Sequence, residues 1–295
     1  MSDPTMTTIA SQALTATVSA LGAELRSLAD AEGRQLQWDG DPAVWSGRAP
    51  ILFPVIGVLQ GGRYRLGGDS YEMPKHGFAR HSTFDIIERA ANTVTLRLSA
   101  TPATRAIYPF DFQLDIVFAL DGGTLAVHAL IGNHGDTPMP ASFGFHPALR
   151  WPLPFGNPRA DHHIRFAQPE PAPVRRIDRE GFLTPTPHPT PIVADTLALH
   201  DGLFVDDALI FDRLLSRCVT FGSVSGPRIE VRFDDFPTLG VWTKPGADFI
   251  CIEPWRGFSD PVGFAGDIRD KPGIALISPG TSFCLRMSIA LVPGA

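Results

Sequence analysis

The sequence predicts an all-β protein, a large antiparallel β-sandwich. Three observations predict it. Apolar and polar residues alternate with a period of two along segments that recur to the end of the chain. Glycine and proline, 28 of each, are spread between those segments as turn residues. No stretch sustains the amphipathic helical period with capping signals at its ends.

Taken in order, Val94, Leu96 and Leu98 alternate with Thr95, Arg97 and Ser99, the pattern of a half-buried strand. Leu114, Ile116, Phe118 and Leu120 repeat it, Asp121-Gly122-Gly123 supplies turn chemistry, and Leu125, Val127, Ala129 and Ile131 resume it, which predicts a hairpin. Ile229, Val231 and Phe233 against Glu230, Arg232 and Asp234 predict a further strand, and Phe283, Leu285, Met287 and Ile289 another. Between Pro152 and Pro191 prolines at 154, 158, 169, 171, 173, 185, 187 and 189 interrupt any ladder, since each removes a donor. Strand patterns on both sides are alike, and Ile164, Phe166 and Phe182 fall inside this stretch. It therefore reads as a loop-rich excursion over the sandwich surface, within a single domain spanning 1–295.

Composition narrows the function. Hydrophobic residues make up 44% and charged residues 19% of the 295, enough apolar material for a large core. The net charge of -6, with 25 Lys and Arg scattered singly, argues against a nucleic-acid partner. Met1 to Ala10 lacks a basic stretch followed by an apolar one, and no run approaches the length of a membrane span. Cys218, Cys251 and Cys284 are widely spaced without a CxxC, which suits reduced thiols rather than a disulfide framework. The expectation is a cytoplasmic protein, monomeric or homodimeric, with no membrane partner.

Three clusters depart from strand alternation. In Met73-Pro74-Lys75-His76-Gly77-Phe78-Ala79-Arg80, proline and glycine bracket His76 on a turn, from which it can reach a cleft or simply face solvent. In Phe143-Gly144-Phe145-His146-Pro147-Ala148, Pro147 should end a strand and leave His146 at a rim, as a site residue or as a satisfied core histidine. In Phe249-Ile250-Cys251-Ile252-Glu253-Pro254-Trp255, a carboxylate ends an apolar strand, where it serves either a buried ion pair or general base catalysis. Trp255 offers an aromatic face for the C–H side of a sugar ring. No Ser/His/Asp arrangement, phosphate-cradling loop or dinucleotide fingerprint occurs, and His76 with His81, or His162 with His163, is an incomplete ligand set without HExxH. Neither a metal nor a cofactor is expected.

These clusters resemble the signature of the aldose 1-epimerase superfamily, in its short bacterial branch. The resemblance includes Gly22-Ala23-Glu24-Leu25, Ser27-Leu28, Trp38, Trp45, Ala49-Pro50-Ile51-Leu52-Phe53-Pro54, Met139-Pro140 and Lys244-Pro245-Gly246. It implies the galactose mutarotase-like supersandwich and a small-molecule sugar as substrate. It also implies catalysis by Glu253 as base on the anomeric hydroxyl and His146 as acid on the ring oxygen, with His76 binding near that oxygen. Asp207 is the candidate for binding sugar hydroxyls. Val58 stands where the resemblance leads one to expect arginine, so Arg80 or Arg48 would supply a cation, and neutral sugars are favoured over anionic ones. A proton pair of this kind works best with the glutamate ionised and the histidine protonated, each stabilising the other's charge. The alternative is a non-catalytic carbohydrate-binding or sensing protein on the same fold. A glycoside hydrolase would want two flanking carboxylates, and only Glu253 stands out.

Overall fold

The structure is a computed structural model that describes residues 5–294; residues 1–4 and 295, with the first part of the segment read for targeting signals, lie outside the described residues. The predicted class is what the chain adopts: all-β, with every pairing between named strands antiparallel.

A nine-stranded sheet runs in the order Thr196–Ala198, His163–Phe166, Cys218–Gly222, Arg228–Arg232, Ser282–Val292, Thr124–Asn133, Phe112–Asp121, Thr93–Ser99, Asp85–Arg89. Its centre is the predicted hairpin, closed by Gly122 and Gly123, with Gly122 at φ 50 in the left-handed region that such turns need. The apolar rows read from the sequence align across three strands. Val127 faces Phe118 on one side and Met287 on the other, and Ala129 faces Ile116 and Leu285. All are buried in one cluster, so an internal truncation such as Phe118→Ala should cost about 3–5 kcal/mol.

A second sheet carries the site. Its order is Leu209–Phe211, Thr238–Trp242, Phe249–Arg256, Phe143–Phe145, Ile51–Leu52, and Ala148–Arg150 also pairs with Phe249–Arg256. Along Phe249–Arg256 the two faces have different tasks. Ile250 and Ile252 enter the main core, while Phe249, Cys251, Glu253 and Trp255 project to the opposite side. The same core also takes Leu14, Ala16 and Val18 from the sheet Met6–Ala10, Leu14–Ser19, Glu24–Asp30.

The Pro-rich stretch differs in part from its expected course. His163–Phe166 is a strand of the nine-stranded sheet, with Ile164 and Phe166 buried, because the prolines fall on either side of it. Residues 167–195 form no strand, and they fold back to place Ile177 and Gly181 at the cavity described below. Among the described residues the one α-helix is Pro102–Ile107, capped by the Thr101 side chain, and no helix is long and apolar enough to cross a membrane. Cys218, Cys251 and Cys284 are free thiols.

Candidate active site

The register of the second sheet brings two of the sequence clusters face to face. Phe143 and Gly144 pair with Arg256 and Trp255, and after a break Ala148 pairs with Cys251. The register is the same on both sides of the break, so position 146 falls directly opposite position 253. Pro147 and Pro254 cause the break, since neither can donate to the ladder. The amide of Ile252 donates to the Pro147 carbonyl at 3.3 Å, which makes 147/252 the hydrogen-bonded pair and 146/253 the adjoining non-hydrogen-bonded one. Side chains approach closest at such pairs. Accordingly His146 Nε2 lies 3.1 Å from Glu253 Oε2.

The two groups are buried, at 9% and 1% exposure, yet they do not satisfy one another. The contact is close but misaligned for a hydrogen bond, and both His146 Nδ1 and Glu253 Oε2 are buried without a partner. Burial pushes Glu253 well above the usual carboxyl range, with the charge of Asp207 adding to it. Burial pushes His146 down to about 3, aided by the cations Lys75 and Arg80. Burial thus works against the ionised glutamate and protonated histidine that proton transfer across a bound sugar would use. Desolvation favours the neutral form of each, with the pair's one proton on the carboxyl.

The pair lines a cavity of about 210 Å³, roughly the space of seven waters and suited to a single sugar ring. Trp255 forms one wall. Its indole lies across two glycines, and a Cβ would stand 2.7 Å from it at either Gly144 or Gly240, so the strands on both sides must lack side chains there. Trp255 Nε1 is also buried, too poorly aligned for a full hydrogen bond, yet its N–H acts on the Glu253 carboxyl to oppose part of the rise that burial causes. Trp45 and Trp242 flank His146 with ring centroids at 5.3 and 6.0 Å. Aromatic walls with a few unpartnered polar atoms are the composition a polyhydroxylated ring requires.

His76 joins the same cavity, its ring 6.1 Å from that of His146. It sits at φ 65, a conformation costly for a non-glycine residue, and is held there from two directions. The His76 amide donates to the Gly57 carbonyl at 2.8 Å, and the Gly57 amide donates to His76 Nδ1 at 3.0 Å. Because Nδ1 accepts, the proton of the neutral ring is on Nε2, which makes His76 a donor. Burial, reinforced by His146, Lys75 and Arg80, holds it neutral. Gly57 is fixed in turn, at φ 69, with Ser259 Oγ 2.1 Å from where its Cβ would be. The Ser259 hydroxyl accepts from the Val58 amide at 2.8 Å and donates to the Gly181 carbonyl at 2.6 Å. Behind it Asp260 holds Lys271 at 2.6 Å in a buried ion pair.

Of the other residues singled out from the sequence, Asp207 and Arg80 line the cavity and Arg48 does not. Arg48 is turned away because its Nη1 donates to the Arg26 carbonyl at 2.7 Å and its amide donates to Glu24. Val58 packs its methyls against Gly181. Lys75, Trp45 and Trp242 line the cavity without having been assigned a role from sequence. Lys75 lies within the His76 cluster and Trp45 within the resemblance, whereas Trp242 ends an ordinary strand and carries no local signal. His146, Cys251 and Glu253 also place one N, one S and one O within 4.8 Å of one another, a set of ligands suited to a soft divalent cation. Such an ion would occupy the same two groups that can move protons, and would need the Cys251 thiol ionised against the burial that raises it.

The family model for aldose 1-epimerase matches residues 4–268. The chain belongs to the aldose 1-epimerase family. It is 33% identical over 276 residues to the chromosomal LacX protein of Lactococcus lactis subsp. lactis, covering 90% of this chain and 92% of that one. The galactose mutarotase related enzyme from Lactobacillus acidophilus superposes with a TM-score of 0.88 at 29% identity, over 97% of both chains. A galactose mutarotase-like protein from Lactobacillus casei ATCC 334 gives the same TM-score and identity, over 97% of this chain and 99% of that one. The galactose 1-epimerase of Lactobacillus acidophilus NCFM shares the fold, with a TM-score of 0.72 at 14% identity, over 98% and 95% of the two chains.

Proposed function

We propose that residues 1–295 form one aldose 1-epimerase domain that interconverts the anomers of an aldose, with Glu253 and His146 as the proton-transfer pair. The observation that carries this reading is the cross-strand juxtaposition of the two groups, 3.1 Å apart, in a cavity walled by tryptophans.

Mutarotation needs one proton removed from the anomeric oxygen and one delivered to the ring oxygen. Glu253 takes the hydroxyl proton, the electron pair of that O–H bond forms the C1 carbonyl, and the C1–ring-oxygen bond breaks. Its electrons leave on the ring oxygen, which takes the proton of His146. Rotation about C1–C2 and the reverse transfers close the ring on the other face. No net proton is gained, so the pair needs one proton in total and no cofactor. The neutral pair that burial favours, protonated Glu253 and neutral His146, is the charge state that accompanies the open-chain sugar. Hydroxyls of the closed ring donating to Glu253 Oε2 would supply the stabilisation that burial removes and return the proton to His146. His76, fixed as a neutral donor by Gly57, binds the ring-oxygen side, and Asp207 the hydroxyls near Glu253.

Exchange NMR on reducing sugars tests this. Wild-type protein should accelerate anomer exchange over buffer, and Glu253→Gln should abolish the acceleration. Binding of sugars with no acceleration of any would overturn the proposal in favour of a sensing or binding protein.

A further inference from the structure

Asp207 lines the cavity from an uncommon backbone position. It stands at φ 65, in the left-handed region that aspartate tolerates better than most residues but still at a cost. It follows the short 3-10 helix Asp201–Phe204 and leads into Leu209–Phe211, the edge strand of the site sheet. Its amide donates to the Phe204 carbonyl at 3.2 Å, and its Oδ1 accepts from the Ala208 amide at 2.7 Å. Oδ2 has no hydrogen bond among the described residues, so one carboxylate oxygen orients the side chain and the other is left for a ligand. The turn is held from outside. Arg176, on the Pro-rich excursion, donates from Nη1 to the Asp207 carbonyl and from Nη2 to the Leu203 carbonyl, both at 2.8 Å. One planar fork thus ties the two ends of the turn together, which a lysine ammonium could do at one end only. Arg176 is itself anchored. Its carbonyl accepts from the Thr184 amide at 2.9 Å and the Thr184 hydroxyl at 3.0 Å. The adjoining Arg175 exchanges two backbone hydrogen bonds with Ile210, at 2.8 and 3.1 Å, and so fastens the excursion to the strand that Asp207 leads into.

We infer that Arg176 is a positioning residue: it locks the turn from Leu203 to Asp207 so that the Asp207 carboxylate is presented to a sugar hydroxyl, and it thereby sets affinity for the ring without touching it. This rests on the reading of Asp207 as the hydroxyl-binding carboxylate. Arg176 does not line the cavity, so its effect on a bound sugar passes through the turn. Without the fork, the backbone at Asp207 is free to relax toward an ordinary negative φ, and the carboxylate turns with it. Glu253 and His146 are held by the register of their own strands and not by this turn. Loss of Arg176 therefore weakens sugar binding and spares the proton transfer.

The test is a double-mutant cycle on sugar affinity. Dissociation constants from calorimetry and kcat from anomer exchange are measured on glucose, galactose and xylose for wild type, Arg176→Gln, Asp207→Ala and the double variant, with circular dichroism verifying the fold of each. On the sugar bound most tightly, Asp207→Ala should weaken binding by about 10- to 100-fold, the scale of a hydrogen bond to a charged group. Arg176→Gln should weaken it by about 5-fold or more, but no further than Asp207→Ala, with kcat within about 3-fold of wild type. Once residue 207 is alanine, removing Arg176 should change affinity by less than about 2-fold. Arg176→Lys, which keeps the charge and one contact, should fall between wild type and Arg176→Gln. Equal losses in the two backgrounds, a fall in kcat with affinity unchanged, or an Asp207→Ala protein that binds as tightly as wild type overturns the role of Arg176 and leaves the mutarotase reading standing. Sugars bound but not accelerated by wild type overturn the mutarotase reading, while the affinity cycle still decides on Arg176. No binding of any sugar overturns both.

Discussion

Replacing Glu253 by glutamine should make the protein more stable and inactive, and the stability gain should depend on pH in a defined way. The side chain is 1% exposed, and burial raises its folded-state pKa well above the ordinary 4.5. A group with a raised folded pKa contributes stability below its unfolded value and loses it as pH rises toward the folded one. Above pH 4.5 the unfolded chain releases a proton that the folded chain must keep, and by pH 7 this costs up to about 3 kcal/mol. Glutamine has the same shape and does not titrate. It leaves a buried amide as poorly satisfied as the carboxyl, so that penalty is common to both proteins. His146 titrates with the opposite sign: lowered to about 3, it costs stability as pH falls below 6.5, and it does so in both proteins. The difference between urea-unfolding free energies of Glu253→Gln and wild type should therefore be near zero at pH 4.5 and grow to at most about 3 kcal/mol at pH 7. A difference that is constant across this range, or negative at pH 7, would refute the assignment of Glu253 as a desolvated, protonated carboxyl.

Other consequences can be measured separately. His146→Gln should lower kcat by about 10²- to 10⁴-fold with sugar affinity, read by calorimetry, changing less. A pair with ordinary values of 4.5 and 6.5 would hold a single proton only between them; with Glu253 raised and His146 lowered to about 3, kcat/KM should pass through pH 6.5 without falling, and a fall centred there would contradict it. Gly240→Ala puts a methyl 2.7 Å from the Trp255 indole in a central strand, so stability should drop by about 1–3 kcal/mol and KM should rise, a result checked by urea unfolding and exchange kinetics. Lys271→Met leaves the buried Asp260 uncompensated behind Ser259 and should cost about 3–5 kcal/mol, recovered in part by adding Asp260→Asn.

The strands around the core were legible because their inward rows are purely apolar and their turns carry glycine: the hairpin at Gly122 and the terminal strand Ser282–Val292 follow directly from alternation. Short strands flanked by proline were not. His163–Phe166 is four residues long, and its place in the nine-stranded sheet depends on neighbours distant in sequence, which period-two reading over so short a window does not capture. Trp242 was missed for a related reason: its contact with His146 depends on tertiary placement, and nothing in Thr238–Trp242 distinguishes it from a core aromatic. Arg48, by contrast, had a local context that suited a site and a tertiary one that did not, since the Arg26 carbonyl captures its guanidinium.

The chemistry of the site was legible as residue types and illegible as a charge state, for a physical reason. Sequence shows a carboxyl and an imidazole near prolines and aromatics; it does not show that two prolines, 147 and 254, sit on either side of a cross-strand pair and strip it of ladder partners. That arrangement brings Nε2 and Oε2 to 3.1 Å in a buried wall, where desolvation disfavours the charged form of both groups. For an enzyme whose forward and reverse reactions are the same chemistry on opposite faces of a ring, this is no defect. With the proposed pair, the closed sugar would require the proton on His146 and the open sugar would require it on Glu253. On the proposed mechanism, burial that favours the second state would stabilise the open-chain intermediate, while the closed ring would supply hydroxyl hydrogen bonds to restore the first.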